Sequence, residues 1–152
     1  MIRLALISCL VSFVGGCAAV PKGTPLFDGK TLAGWKQAGG SATYTIEDGA
    51  IVGTVGPGPN SFLHTEQTYR DFVLELEFRW DEPGNSGIQF RSHLNEHGVV
   101  YGYQCELDPS PRAWTGGLYD ESRRGWLDDL ADDAAARSAV RLDGWNHVRI
   151  EA

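Results

Sequence analysis

The sequence is poor in positive charge and contains no cluster of lysines or arginines. Its 152 residues include 13 Lys and Arg against 20 Asp and Glu, which gives a formal net charge of −7. Proteins that bind nucleic acids need a basic surface to neutralise phosphates, so no nucleic-acid partner is expected. Hydrophobic residues make up 42% of the chain and charged residues 22%, a balance that argues against intrinsic disorder. The length is typical of one domain.

Common catalytic signatures are also missing. The chain has no Gly-x-Ser-x-Gly nucleophile turn, no His-Glu-x-x-His zinc motif and no glycine-rich dinucleotide fingerprint. The sequence therefore requires no cofactor. A divalent metal stays open as a Lewis acid, because carboxylates and amides are hard ligands.

No apolar run is long enough to cross a bilayer as a helix. The run at residues 4–14, which follows Arg3, has the length of the apolar region of a signal peptide. Gly15, Gly16 and Cys17 come next and resemble a bacterial lipobox, in which the signal is cut before a cysteine that then takes a lipid. The alternative is an ordinary secretory signal that is cut after a nearby alanine.

This pattern predicts a lipoprotein signal peptide over residues 1–16, a lipidated tether over 17–24 and a domain over 25–152. The protein is then expected in the bacterial cell envelope, in the periplasm or on the outer membrane, and in contact with a membrane only through its lipid anchor. Of the 3 cysteines, processing leaves Cys17 and Cys105. Because Cys17 carries the lipid, no internal disulfide is expected, and stability must come from the core.

The residues that are present favour short strands joined by turns, since the chain has 19 Gly and 5 Trp. Asp48 and Gly49 form a two-residue hairpin signal between strands predicted at residues 44–47 and 50–55. A short strand is predicted at residues 61–65. A further strand is predicted at residues 145–152, where the chain stops.

Three longer segments alternate between apolar and polar residues, as half-buried strands do. They lie at residues 72–80, 86–92 and 101–108. Because their connections are short, we expect them to be antiparallel neighbours with one continuous polar face that suits a polyol ligand. That face would comprise Glu75, Glu77, Arg79, Gln89, Arg91, Gln104, Glu106 and Asp108.

The segment between residues 109 and 126 is predicted to be a loop, followed by a short helical insertion near residues 127–138. Four aspartates flank this insertion, but they lack the spacing of an EF-hand and indicate a solvated helix face. Three aromatic residues of the loop are candidates for stacking on a sugar ring: Trp114, Tyr119 and Trp126.

Segments spread along the chain carry a family resemblance. They are residues 26–30 (LFDGK), 32–35 (LAGW), 71–79 (DFVLELEFR), 85–92 (NSGIQFRS), 103–110 (YQCELDPS), 116–121 (GGLYDE), 123–127 (RRGWL) and 145–147 (WNH). In this order they resemble the 3-keto-disaccharide hydrolase domain family. The resemblance implies an all-β, concanavalin A-like jelly-roll of antiparallel sheets. It also implies that strands which normally follow the WNH segment are missing from this chain.

The resemblance implies an exported enzyme that cleaves glycosides oxidised to a ketone at carbon 3, with a small carbohydrate as its partner. Such a ketone acidifies the hydrogen on carbon 2, so cleavage needs a base, a donor for the enolate oxygen and an acid for the leaving group. The candidate catalytic residues are Glu77 or Glu106 as base, Arg91 as enolate stabiliser and Glu106 or Asp108 as acid. Gln89 and Gln104 would bind sugar hydroxyls.

Structural roles stand beside these assignments. Arg91 is equally expected to bridge Glu77 and Glu106, and Asp108 before Pro109 is expected in a turn. Cys105 is expected to be a buried thiol, and Trp145 to belong to the core. Two further functions also stay open: a carbohydrate-binding module without catalysis, and an inactive fragment of the enzyme.

Overall fold

A computed structural model describes the backbone of residues 1–10 and 23–152, and side chains for residues 1–3 and 23–152. The predicted cleavage position, Cys17 and most of the tether lie outside the described residues. Signal cleavage and lipidation therefore stay predictions. In the described part of the chain, no helix is long and apolar enough to cross a membrane.

The described chain is built almost entirely from strands. The elements before residue 81 are β1 (Ile2–Leu10), β2 (Trp35–Gly39), β3 (Thr43–Glu47), β4 (Ala50–Thr54), β5 (Ser61–Thr65) and β6 (Val73–Trp80). Those after it are β7 (Ser86–Leu94), β8 (Val100–Leu107), β9 (Leu118–Glu121), β10 (Gly125–Asp128), α1 (Ala134–Ser138) and β11 (Asn146–Glu151).

The strands form two main sheets and a ribbon, all with antiparallel pairing. One sheet has the order β11-β6-β1-β4-β3, the other has the order β10-β9-β8-β7, and β2 pairs with β5. The predicted all-β, antiparallel sandwich is confirmed. The core lies between the two sheets, where Leu76, Phe78 and Trp80 of β6 pack with Ile88 of β7 and Leu107 of β8.

The hairpin predicted at Asp48 and Gly49 is confirmed. Both residues have positive φ angles, 51° and 76°, as a two-residue turn that matches the twist of its strands requires. The turn pairs Glu47 with Ala50 and continues to Thr43 opposite Thr54. Ile51 and Val52, which follow the turn, are both almost completely buried, although successive residues of a strand point to opposite faces.

The expectation that the three long alternating segments are neighbours in one sheet is wrong. β7 and β8 do pair, but β6 lies in the five-stranded sheet. The chain crosses from one sheet to the other between Trp80 and Ser86. Alternation assigns two faces to each strand, but it does not say which strand lies beside it. The predicted continuous polar face is therefore divided between the outer faces of two different sheets.

The segment predicted as a signal peptide overlaps β1, which lies between β6 and β4. Ile2 is opposite Trp80 on one side and Gly53 on the other. Arg3 forms ion pairs with Asp81 at 2.7 Å and Glu47 at 2.9 Å. Cleavage after residue 16 would remove β1 from the sheet.

Four sequence-based expectations differ from the structure. The sequence predicts no strand at β2, and the predicted loop 109–126 contains β9 and the start of β10. Both differences arise because hydrogen bonds to a neighbouring strand order residues that show little alternation of their own. The helix is only Ala134–Ser138, with Asp133 Oδ1 accepting from the N–H of Ala136, because residues 125–128 pair with β9 instead. Trp145 is 36% exposed and lies outside the core, with Arg79 over its ring at 5.2 Å.

Candidate functional site

The outer face of the four-stranded sheet carries a row of amides and a carboxylate. On β8, Leu107 faces the core and Cys105 packs against it, so the alternate residues Gln104 and Glu106 point to the other side. Gln89 of β7 lies directly opposite Gln104. Although they face away from the core, Gln104 and Glu106 are only 8% and 3% exposed. A carboxylate buried on an outer face needs polar partners to offset its lost hydration.

Glu106 has such partners on both carboxylate oxygens. Asn85 Nδ2 donates to Oε1, and Gln104 Nε2 donates to Oε2 at 2.8 Å. The guanidinium of Arg112 adds a nearby positive charge, with its Nη2 3.8 Å from Oε1. Two N–H donors and a cation suit the ionised form of a carboxylate.

The loop 109–117 covers this end of the sheet and is organised by Asp108. The N–H groups of Ser110 and Trp114 donate to its carboxylate at 3.0 and 3.3 Å, and Arg112 Nε donates to it at 2.8 Å. Thr115 Oγ1 accepts from the N–H of Asp108 at 2.7 Å. The turn role considered for Asp108 is therefore what the structure shows. Its contribution to a reaction stays a prediction.

Charge effects favour an ionised Asp108. Burial raises the pKa of this carboxyl, but hydrogen bonds from Ser110 and Arg112 outweigh burial and leave the pKa below its usual 3.8. Cys105, on the core side of the same strand, behaves in the opposite way. Burial and then the charge of Glu106 raise the pKa of its thiol to about 11, as expected for an inert thiol, although the residue is only partly buried against the core.

The three candidate aromatic residues form one cluster beside Glu106. Trp126 contacts Trp114 and Tyr119 edge to face, with ring centroids 4.9 and 5.1 Å apart. Arg112 lies over both tryptophan rings, at 4.5 Å from Trp114 and 5.1 Å from Trp126. Tyr119 is opposite Gln104 in the sheet, so the cluster continues the amide row across β9 and β10. Aromatic faces next to polar groups are suited to a sugar ring.

Two of the predicted catalytic residues lie elsewhere. Glu77 is on β6, between the core residues Leu76 and Phe78, so it points to the outer face of the five-stranded sheet. Arg91 is exposed and pairs with Asp71 at 3.1 Å, not with Glu77 or Glu106. The bridge expected between the two glutamates is therefore absent, because they lie on different sheets. The structure brings together Gln89, Gln104, Glu106, Asp108, Trp114, Tyr119 and Trp126.

Sequence reasoning missed two residues of this group. Arg112 supplies the positive charge next to Glu106 that was expected from Arg91, and Asn85 binds the carboxylate directly. The spacing of Asp108 and Arg112 across a Pro-containing turn is a signal for the first. Nothing in the pattern around Asn85 signals the second, because its partner is 21 residues away.

Other parts of the described chain are weaker candidates for a functional site. Residues 1–3 and 23–152 contain no group of three or more His, Cys, Asp or Glu side chains placed to hold a metal ion. A shallow depression is lined by residues 80–83, Pro109 and Leu142. It shares no side chain with the residues that surround Glu106. Its one aromatic residue, Trp80, is only 8% exposed and belongs to the core, so this depression is a weaker candidate than the residues around Glu106.

Two comparisons with known proteins bear on the site. Residues 22–152 match the family model of the 3-keto-alpha-glucoside-1,2-lyase-like domain. A curated relative, the 3-keto-disaccharide hydrolase of Bacteroides thetaiotaomicron, is 36% identical over 72 residues. This match covers 41% of the chain and 25% of the relative, so it spans about a quarter of the relative's length.

Proposed function

The chain belongs to the 3-keto-alpha-glucoside-1,2-lyase-like domain family, and we propose that it cleaves the glycosidic bond of sugars that carry a ketone at carbon 3. The observation that carries this proposal is the Glu106 group: a buried carboxylate held by two amides, with Arg112 beside it. The name of the Bacteroides relative supports the same class of substrate.

The first step is removal of a proton from carbon 2. The ketone makes this hydrogen acidic, and Glu106 accepts the proton while the C–H electron pair forms a double bond between carbons 2 and 3. The negative charge moves to the oxygen of carbon 3. Arg112, whose side chain is 41% exposed, is placed to stabilise that oxygen with its guanidinium.

The second step expels the substituent on carbon 1. The enolate re-forms the ketone, the electron pair moves between carbons 1 and 2, and the bond from carbon 1 to the leaving oxygen breaks. The leaving oxygen takes a proton, for which protonated Glu106 is the donor. Water then adds across the double bond of the unsaturated sugar, so that the net reaction is hydrolysis.

In this scheme Arg112 replaces Arg91 as the enolate stabiliser. Asp108 positions Arg112 and the loop 109–117 and does not act as the acid, because its lowered pKa keeps it ionised near neutral pH. The aromatic cluster of Trp114, Tyr119 and Trp126 would hold the sugar ring. A divalent metal stays the alternative Lewis acid, although the described residues contain no group of three or more His, Cys, Asp or Glu side chains placed to hold one.

A second candidate function is sugar binding without catalysis. It is favoured by the aromatic cluster beside the amide row, since stacking rings and amides are sufficient to bind a sugar. A binding module has no need of a carboxylate held beside a cation, so a test of Glu106 separates the two functions.

Export and lipid anchoring at Cys17 also remain part of this proposal, as the sequence predicts.

The decisive experiment compares the same substitution on the two sheets. The full chain and its Glu106→Gln and Glu77→Gln variants are incubated with 3-keto-trehalose or with trehalose, with and without EDTA, and the released sugar is measured. We expect Glu106→Gln to lose about 10²- to 10⁴-fold in kcat, the usual contribution of a general base. Glu77→Gln should keep its activity, because Glu77 lies on the other sheet.

Equal activity of the Glu106→Gln variant and the wild type would refute the assignment of the base. If the wild type binds the keto sugar by calorimetry but does not cleave it, the binding module is the correct function. Loss of activity in EDTA that added Mn²⁺ restores would assign the Lewis acid to a metal rather than to Arg112 alone.

A further inference from the structure

We propose that three alternate residues, Asn85, Gly87 and Gln89, position the Glu106 carboxylate for its reaction. Gly87 and Gln89 belong to β7 and Asn85 directly precedes it. Gly87 and Gln89 are positioning residues, because they act on Glu106 through Gln104. The inference rests on the proposed role of Glu106 as the base. It also changes the role expected for Gln89 and Gln104, from binding sugar hydroxyls to holding the carboxylate.

The register of the sheet places the three residues on one side. Successive side chains of a strand point to opposite faces, and Ile88 faces the core, so residues 87 and 89 face the Glu106 side. Gly87 is opposite Glu106 and Gln89 is opposite Gln104. Asn85 lies beyond the start of the strand, where its amide reaches Glu106 Oε1. The Asn-Ser-Gly-Ile-Gln segment thus presents its first, third and fifth residues to the carboxylate and its amide partner.

The hydrogen bonds around Glu106 all run in one direction. An ionised carboxylate only accepts, so Gln104 turns its NH₂ group toward Glu106 and its carbonyl oxygen toward Gln89. Gln89 Nε2 then donates to that oxygen at 2.9 Å. Ser92 Oγ lies 2.6 Å from Gln89 Oε1 and 3.1 Å from the carbonyl oxygen of Phe90, and its single hydrogen is donated to one of these two acceptors. These amide orientations are consistent with Glu106 as the final acceptor of the chain.

Two glycines leave room for this chain of hydrogen bonds. A Cβ atom on Gly87 would lie 2.2 Å from Cδ and 2.6 Å from Nε2 of Gln104. A Cβ atom on Gly102 would lie 2.5 Å from Ser92 Oγ. The strand register shifts between Phe90 and His93, which turns Ser92 to the same side as Gln89. Any side chain at position 87 must therefore displace the amide that holds Glu106.

The test is Gly87→Ala, because it moves the Gln104 amide without removing a polar group. We expect kcat to fall about 10- to 100-fold, the usual effect of a displacement of about 1 Å at a catalytic group. KM should stay within about twofold, because sugar binding is not altered. Gly84→Ala is the matched control, since a Cβ atom there would come no closer than 4.0 Å to its nearest neighbour.

A double-mutant cycle shows whether Gly87 acts through Gln104. If it does, adding Gly87→Ala to a Gln104→Ala variant costs no further activity, because the displaced amide is already gone. A second variant, Gln104→Glu, places another carboxylate beside Glu106. The acidic limb of the pH–activity profile should then move to higher pH, because two adjacent carboxylates repel each other. A role in folding alone would not move this profile.

A spectroscopic measurement makes the inference independent of activity. The side-chain NH₂ signals of Gln104 and Gln89 are followed by ¹⁵N–¹H NMR in the wild type, in Gly87→Ala and in Gly84→Ala. We expect Gly87→Ala to shift the Gln104 signals and Gly84→Ala to leave them unchanged. Should Gly87→Ala fail to fold, Gln89→Leu, which removes the donor to Gln104, takes its place with the same expected shift.

The outcomes separate this inference from the proposed function. If Glu106→Gln is inactive but Gly87→Ala is fully active with unshifted Gln104 signals, the positioning role is wrong and the base assignment stands. If the wild type shows no cleavage, the proposed function fails, and the NMR shifts alone decide whether β7 holds the carboxylate. If Gly87→Ala lowers kcat by the same factor in the wild type and in the Gln104→Ala variant, the inference is also wrong.

Discussion

The outer faces of the two sheets look alike in sequence and differ in structure. Both carry alternating charged residues, but the five-stranded sheet has half-exposed ion pairs, such as Glu75 with Arg149, whose side chains are 31% and 48% exposed. On the four-stranded sheet, the side chains of Glu106 and Asp108 are 4% and 3% exposed and are bonded to amides, backbone N–H groups and Arg112. Exposed pairs contribute little to stability, whereas buried carboxylates need fixed partners. On the four-stranded sheet, the loop 109–117 shields part of the polar outer face from solvent, and the residues beneath it form the candidate site.

The largest effect is expected from removing the strand that joins the halves of the five-stranded sheet. A chain of residues 18–152 lacks β1, so β4 and β6 lose the strand to which both are hydrogen-bonded. Exposed strand edges favour association. We expect a lower melting temperature and oligomers in size-exclusion chromatography, compared with the full chain carrying Cys17→Ser.

This result bears on the predicted signal peptide as well. Cleavage after residue 16 and a stable sheet require another strand between β4 and β6. A monomeric 18–152 chain that melts at the same temperature as the full chain would show that β1 contributes nothing to the fold. Among the described strands, none of the four-stranded sheet pairs with β1. The near-ultraviolet circular dichroism of the aromatic residues on that sheet should therefore change less than that of the five-stranded sheet.

The second prediction compares two arginines with the same substitution. Arg112→Lys should lower kcat about 10²-fold or more, because a lysine cannot reproduce the planar contacts of Arg112 with Asp108 and the two tryptophan rings. Arg91→Lys should retain activity, since Arg91 pairs with the exposed Asp71. The measurement is the initial rate of cleavage of a 3-keto-disaccharide. A larger loss in the Arg91 variant would restore the original assignment.

The third prediction concerns acid unfolding. Asp120 on β9 is fully buried, and although burial raises the pKa of its carboxyl, hydrogen bonds from Arg124 and Arg123 lower it below 3.8. A lowered pKa in the folded state means that the stabilisation is complete above about pH 3.8 and is lost as the pH falls through the folded value. Asp108 contributes in the same sense.

We therefore expect the free energy of unfolding in urea to fall below pH 4. Asp120→Asn should be less stable than the wild type at pH 7 and should lose less stability between pH 5 and pH 2. Glu75→Gln, on the outer face of the five-stranded sheet, is the control and should melt like the wild type. Identical pH dependence of Asp120→Asn and the wild type would show that this carboxylate does not link stability to pH.

Local patterns determined much of the fold. The hairpin at Asp48 and Gly49 and the strands at residues 61–65, 73–80, 86–94, 100–107 and 146–151 were predictable, because alternation and turn chemistry depend on residues close in sequence. Alternation also identified Glu106, Gln104 and Gln89 as polar residues of one face. The short strands β2, β9 and β10 have too little pattern of their own and are ordered by their partners.

Only the tertiary structure decided which polar residues share a site. Glu77 and Glu106 have the same sequence signature, yet they lie on opposite sides of the sandwich, because the chain changes sheets between Trp80 and Ser86. Asn85 and Arg112 join Glu106 through a turn and a covering loop that no periodicity encodes. The sequence by itself therefore determined the longer alternating strands, their faces and the family. Strand neighbours depend on contacts across the whole chain, and so the membership of the candidate site was decided by the packed structure.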